Sequence, residues 1–396
     1  MSEPKIVIGA GAAGLTAAAV CAERGGRVLL IEKMERPGRK LRITGKGRCN
    51  VTNATFDLQG LLEHIPTNPR FLYSAFSNFM PYDTIALMED LGVPTKIERG
   101  ERVFPVSDNA TDIVDALVRR AKNAGVQFLQ GTVERLELTE DGRRVQAVLL
   151  TDGCSYPATG STGDGYTFAR QCGHTIVPIR PALVPLVCDN NFIPELQGLS
   201  LRNVEIRVTQ GNKEVYTDFG EMLFTHYGVS GPVVLSASSH LTQPERGVYN
   251  LHIDLKPALA FDVLDRRVQR DFSALQNKDL INALGGLLPR KLIPVFVRRS
   301  GLEPGKKVNQ ISREERHALV RLMKDFAVHI TDFRPVEEAI VTAGGVDVRQ
   351  VSPKTMGSKL VENLYFAGEV LDVDGYTGGF NLQIAFSTGT LCGQNL

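Results

Sequence analysis

Three glycines and one acid are spaced to hold a phosphorylated ligand: Gly9, Gly11 and Gly14, then Glu32. In Gly-x-Gly-x-x-Gly the first glycine permits a tight strand-to-helix turn. The second lets backbone approach a pyrophosphate, and the third lets helix and strand pack closely. An apolar run ending at Ile8 enters the motif, and an alanine-rich stretch from Ala12 and Ala13 leaves it as a helix. The free N–H groups and dipole of that helix N-terminus favour phosphate. The next strand, from Arg27 to Ile31, ends in Glu32, placed where a carboxylate binds ribose hydroxyls. The unit implies an ADP-containing dinucleotide. The bland alternative is a glycine-rich turn in an ordinary βαβ unit. A secretory signal is not expected, because a positive n-region is missing and glycines interrupt the apolar run.

Lys33 and the segment that follows supply further candidates. Arg36 to Asn53 carries six basic residues among glycines without apolar periodicity, so it reads as a loop. Following the ribose-binding strand, it can fold back so that Arg39 and Lys40 face phosphates; a solvated basic surface is the alternative. Cys49 is a candidate redox thiol, although no resolving cysteine is near in sequence. His226 and Tyr227 sit among glycines, where a side chain can face a cleft; a structural histidine is the alternative. Near the chain's end a buried strand runs into Gly368 and Glu369, and a helix begins at Gly378 and Gly379. A second acid and a second helix N-terminus suit an extended ligand with donors needed at both ends, which favours FAD over NAD.

The elements that position these residues follow from pattern and length. At 396 residues, two or three domains are expected. A net charge of +1 gives no global field toward nucleic acid or anionic membrane, and no apolar run approaches a membrane span. Six scattered cysteines without a Cys-x-x-Cys pair argue against a metal site or disulfide framework, and a cytoplasmic location is expected. Helices are expected over 68–91, interrupted at Pro81, and over 110–124. Residues 131–138 and 145–150 read as a hairpin closed at Asp141-Gly142. A glycine- and hydroxyl-rich loop at 154–165 leads into a helix at 166–172. The expected division is an FAD-binding domain over 1–177 plus 336–396, an antiparallel β domain over 178–256 and a helical domain over 257–335. Within the last, a helix opened by the Ser312-x-x-Glu315 capping box is expected from Arg313 to Ile330. Arg298, Arg299, Lys306 and Lys307 form a basic cluster.

Long blocks carry a family resemblance: Gly9-Ala-Gly-Ala-Ala-Gly14, Thr44-Gly-Lys-Gly-Arg-Cys-Asn-Val-Thr-Asn53, Arg102-Val-Phe-Pro-Val-Ser107, Ser155-Tyr-Pro-Ala-Thr-Gly-Ser-Thr-Gly-Asp-Gly-Tyr166, Thr225-His-Tyr-Gly-Val-Ser-Gly-Pro232, Val341-Thr-Ala-Gly-Gly-Val346 and Ala367-Gly-Glu-Val-Leu-Asp-Val-Asp-Gly-Tyr-Thr-Gly-Gly-Phe-Asn381. The chain resembles the YhiN/BaiN-like family of FAD-binding oxidoreductases, also called aminoacetone-oxidase-like flavoproteins. The resemblance implies an α/β fold: a discontinuous, glutathione-reductase-like Rossmann FAD domain with an inserted antiparallel β domain and a helical domain. It implies non-covalent FAD held at Ala12, Ala13, Glu32, Arg39, Lys40, Val133, Glu369, Asn381 and Leu382. One branch of the family reduces unsaturated bile-acid intermediates. One departure stands out. An Ala-Thr-Gly-Gly-like turn is expected before Ser155, but Thr151-Asp152-Gly153 runs straight into Cys154. The segment reads as short by about a dozen residues, so a chain break is expected between Gly153 and Cys154.

The resulting expectation is an FAD-dependent oxidoreductase acting on a small molecule, with NAD(P)H as a transient reductant because no second glycine motif exists. No metal is expected, and nucleic acid is not an expected partner. The alternatives are a flavin-dependent RNA-modifying protein, motivated by the basic segments, and a flavin-binding protein without turnover.

Overall fold

The computed structural model describes residues 3–396. They form two compact units, the first running up to Ala182 and again from Pro335 to Leu396, the second spanning Leu183–Arg334.

The first unit is built on a five-stranded sheet. Its parts are β1 (Lys5–Ile8), α1 (Ala12–Glu23), β2 (Val28–Glu32), α2 (Arg39–Gly47), β3 (Gln127–Gln130), β4 (Arg144–Leu150), β5 (Glu362–Phe366) and α3 (Phe380–Asn395). The sheet order is β5-β4-β1-β2-β3, and every pairing is parallel. From β1 the chain winds outward through β2 and β3, then returns to the other side of β1 as β4. The strand order therefore reverses between β1 and β4, where an open α/β sheet leaves a crevice beyond its strand ends. Register brings those ends level: Ile8 pairs Ile31 and Leu150, and Leu150 pairs Phe366. Gly9, Glu32, Thr151 and Ala367 thus all follow at one edge of the sheet.

This arrangement corrects the hairpin reading of 131–150. Residues 131–139 form no named strand, and β4 pairs in parallel with β1 and β5. Val148, Leu149 and Leu150 are all buried, as a central parallel strand requires. Since β4 already lies inside the sheet between β5 and β1, no return strand is needed after Gly153. The expected chain break is absent: the chain continues through Cys154, and the Gly163 N–H donates to the Gly153 carbonyl at 2.9 Å.

Helices α1 and α3 pack against each other through small residues. A Cβ on Gly389 or Gly393 would lie 2.6 or 2.5 Å from the carbonyl oxygens of Ala13 and Ala17. Leu15 on α1 is fully buried, a burial worth roughly 1.5–3 kcal/mol. A second correction concerns 33–53: Arg39–Gly47 is a short helix, kinked at Thr44–Lys46. Only Leu41 in it is buried, so it lacks the apolar stripe by which a helix is recognised.

In the second unit six strands close an antiparallel barrel in the order Ser200–Gln210, Lys213–Phe224, Gly228–Ser230, Leu186–Cys188, Phe326–Phe333, Tyr249–Asp254. The helices Phe261–Ala274, Ile293–Ser300 and Arg313–Lys324 share one core with the barrel. The expected helix to Ile330 ends at Lys324, and Phe326, Val328 and Ile330 alternate inward as a barrel strand. The Ser312–Glu315 capping box is present. Three of the four residues of the basic cluster are ion-paired. Arg298 pairs with Glu195, Lys306 with Glu315 and Lys307 with Asp279, while Arg299 packs on Phe192 and Phe326.

Candidate functional site

The glycine turn has the three geometries its spacing requires. Gly9 has φ +99°, and a Cβ there would lie 2.6 Å from the Thr151 hydroxyl. A Cβ on Gly14 would come within 1.9 Å of the Gly9 carbonyl, so helix and strand touch backbone to backbone. Around Gly11 a Cβ would meet nothing within 4 Å. That glycine is not demanded by packing; it leaves open space in front of the turn. No side chain caps α1, and its first intrahelical bond is Leu15 N–H to the Gly11 carbonyl. The N–H groups of Ala12, Ala13 and Gly14 therefore face the open side, a cradle for an anion. The start of α2 is pinned beside it, since the Gly38 N–H donates to the Ala10 carbonyl at 2.9 Å.

Glu32 is held at the neighbouring strand end. One carboxylate oxygen accepts from the Ala10 N–H and the other from the Met34 N–H, each at 2.8 Å. Each oxygen keeps a second lone pair, so the group remains able to accept from two ribose hydroxyls. The open face at Gly11, the uncapped helix and the fixed acid together fit an ADP-containing cofactor. Val133 is half-buried in the segment beyond β3, whose last residue pairs with Glu32.

Two lysines tie the next loops to this edge. The Lys40 ammonium meets the Glu369 carboxylate and the Ser155 hydroxyl. Glu369 also accepts from the Ser155 hydroxyl at 2.6 Å and the Thr342 N–H at 3.0 Å. Burial alone would raise the Glu369 carboxyl; Lys40, Ser155 and Thr342 outweigh it and hold the pKa below the ordinary value. Lys33 donates to Thr162 at 2.5 Å and Asp164 at 2.7 Å, and lies 3.5 Å from Asp152. Asp152, largely buried at the end of β4, has its carboxyl pushed up to about 6 by burial. Arg39 is exposed at the start of α2.

The C-terminal residues close the other side. Gly368 (φ +77°) lies against Ala13, and Gly379 (φ +106°) against the Thr52 backbone, where a Cβ would sit 2.3 Å from the carbonyl. Asn53 donates to the Gly378 carbonyl at 3.0 Å. The basic segment thus reaches the N-terminus of α3. There the first intrahelical bond is Gln383 N–H to the Gly379 carbonyl, which leaves the N–H groups of Phe380, Asn381 and Leu382 without intrahelical partners. The Asn381 side chain is engaged with Gly375, accepting from its N–H at 2.9 Å and donating to its carbonyl at 2.6 Å.

Cys49 is fully buried, and burial pushes its thiol up to about 11. It is a protonated core residue, with no thiolate character to support redox chemistry. His226 and Tyr227 belong to the second unit. They meet edge to face at 4.8 Å, and the Arg334 guanidinium lies over the Tyr227 ring at 4.3 Å. Ser155, Thr342, Asp152, Asp164 and Asp374 are polar residues here that the sequence did not single out. For Asp152 a signal existed: an acid next to a strand end where the family pattern expects a small residue.

Among the described residues no three His, Cys, Asp or Glu side chains group as for a metal ion. No helix is long and apolar enough to cross a membrane.

Comparison with known proteins gives the family. The sequence profile of the HI0933-like protein Rossmann domain matches residues 3–395. The chain is 34% identical over 402 residues to the ribosomal RNA dihydrouridine synthase of Escherichia coli, covering 99% of this chain and 97% of that one. It is 32% identical to the protein of the same name in Haemophilus influenzae, covering 99% and 98%. It is 31% identical to the 3-dehydro-bile acid delta(4,6)-reductase of Clostridium scindens, covering 98% and 97%. With the profile and the relatives each spanning nearly the whole length, the chain belongs to the HI0933-like family of FAD-binding Rossmann oxidoreductases.

Proposed function

We propose that this protein is an FAD-dependent reductase of a carbon–carbon double bond conjugated to a carbonyl, and that its substrate is uridine in ribosomal RNA. The observation that carries this is the full-length similarity to relatives whose named substrates share one electrophile. Dihydrouridine arises by saturating a uracil double bond conjugated to a ring carbonyl. A 3-dehydro bile acid with 4,6 unsaturation presents a conjugated ketone. Bound FAD supplies hydride chemistry suited to both. The chain's own residues hold the cofactor: the N–H groups at Ala12–Gly14 bind the pyrophosphate, Glu32 the ribose, and the start of α3 the flavin end. NAD(P)H reduces the flavin without a dedicated domain, since the chain carries a single Gly-x-Gly-x-x-Gly. The net charge of +1 argued against RNA, but net charge averages over a chain and does not describe one face.

The test is nucleoside mass spectrometry of ribosomal RNA from a source strain with and without the gene. Dihydrouridine present in the parent, lost on deletion and restored by the wild-type gene supports the reading. Unchanged dihydrouridine refutes the RNA substrate. The bile-acid reductase relative then favours the second reading, a small conjugated ketone, tested by the same protein's turnover of such compounds.

A further inference from the structure

Asp374 is a buried acid that the cofactor cradle does not account for. It is 1% exposed, and neither carboxylate oxygen accepts a hydrogen bond from any described residue. Thr67 stands opposite in an isolated bridge, and its side chain favours the charged form of the carboxyl. Such a group, once buried, disfavours its own charge. Burial pushes the carboxyl up to about 6, against the opposing pull of Thr67 and Arg180.

The site around it is rigid. Asn68 holds the preceding Asp372 through its carbonyl at 2.7 Å and its carboxylate at 3.0 Å. Asn381 clamps the following Gly375. A Cβ on Gly375 would lie 2.9 Å from Phe380 and 3.0 Å from Ile65. The His64 ring stacks on Phe380 at 4.3 Å. The carboxyl is therefore held in the segment that delivers the N-terminus of α3. The charged groups facing it are Arg180 from the strand Ile176–Ala182 and Asp372 and Glu369 from its own segment. Lys40 neutralises Glu369, and Arg180 is shared with Asp372. A second negative charge arriving beside α3 therefore meets Arg180 already facing two carboxyls.

We propose that Asp374 is the proton-coupling residue of the flavin site: it takes up one proton when hydride reaches the bound flavin. This rests on the FAD reading above. The hydride brings two electrons and one proton to the flavin, and the second proton passes from solvent to the Asp374 carboxylate. Asp374 acts through the flavin's environment and touches no substrate. It is a positioning residue for charge.

The experiment measures the flavin reduction potential of the FAD-loaded full chain from pH 5 to pH 8, for the wild type and for Asp374→Asn. Above about pH 6 the wild type consumes one more proton per electron pair than the variant, a further tenfold change in the reduction equilibrium per pH unit. Below that pH the slopes converge. Parallel slopes across the range overturn the proposal. Should the variant fail to fold, proton uptake by the wild type during electrochemical reduction decides, read with a pH-indicating dye. An uptake per flavin that rises by one across pH 6 supports the proposal, and a constant uptake overturns it. A chain that takes up no FAD refutes the cofactor reading and this proposal together, whereas a flavin-loaded chain with parallel slopes refutes this proposal alone.

Discussion

Lys40 and Glu369 form an ion pair that joins α2 to the end of β5, segments more than 300 residues apart in sequence. Ser155 and Thr342 complete the shell around the carboxylate. Removing one partner of a buried pair leaves a charge without compensation, at a cost of ~3–5 kcal/mol when burial is complete. The two side chains retain 26% and 20% exposure, so solvent screens part of that. Lys40→Met is expected to destabilise the first unit by about 1–3 kcal/mol in urea unfolding. The Glu369 carboxyl is depressed, so its contribution is intact at neutral pH and lost as pH falls through its folded pKa. Glu369→Gln is expected to remove that part of the acid sensitivity.

Gly11 and Gly14 separate ligand space from packing. Gly11→Val places a side chain where nothing of the protein stands, so the cofactor-free variant is expected to melt at the temperature of the cofactor-free wild type. Its flavin content after purification is expected to fall at least about tenfold, since the pyrophosphate approach is filled. Gly14→Ala drives a methyl group into the Gly9 carbonyl, and a loss of several degrees in melting temperature is expected.

Asp152 imposes a pH dependence of the opposite sense to Glu369. Its folded pKa of about 6 lies above the ordinary 3.8, so its favourable contribution is complete below the unfolded value and is lost as pH rises through 6. Asp152→Asn is expected to match the wild type near pH 4. At pH 7.5 it is expected to be more stable by about 3 kcal/mol, from a shift of ~2 units. Unfolding curves at the two pH values check both the size and the sign.

Thiol reactivity follows burial. Cys21, Cys49, Cys172, Cys188 and Cys392 are buried, and only Cys154 is partly exposed. A thiol reagent at pH 8 is expected to label one cysteine slowly in the native protein and all six after denaturation. Cys49→Ala is expected to retain turnover.

Much of the first unit was legible because its signals are local. The apolar strand, the glycine spacing and the terminal acid of β1-α1-β2 lie within one short stretch, and each glycine has a backbone reason for its place. Signals that depend on distant partners were not legible. Arg39–Gly47 is held as a helix beside Ala10 without an apolar face of its own. Residues 145–150 alternate enough to suggest a hairpin, yet the three consecutive buried residues at 148–150 mark a central parallel strand. Phe326–Phe333 directly follows a well-capped helix, and its strand character comes from two barrel neighbours remote in sequence. In the site, Arg39, Lys40, Glu32 and Glu369 were visible as charges near strand ends. Ser155 and Thr342 were not, since a hydroxyl acquires its role only from the carboxylate that folding brings to it.

Reconstitution decides whether this flavoprotein saturates uridine in ribosomal RNA. The FAD-loaded chain is mixed anaerobically with NAD(P)H and ribosomal RNA from a strain lacking the gene, and the digested RNA is analysed for dihydrouridine by mass spectrometry. Dihydrouridine is expected to depend on both the reductant and the flavin, and to be absent with the Gly11→Val protein. Full reduction of the flavin with no dihydrouridine formed would contradict the proposed activity.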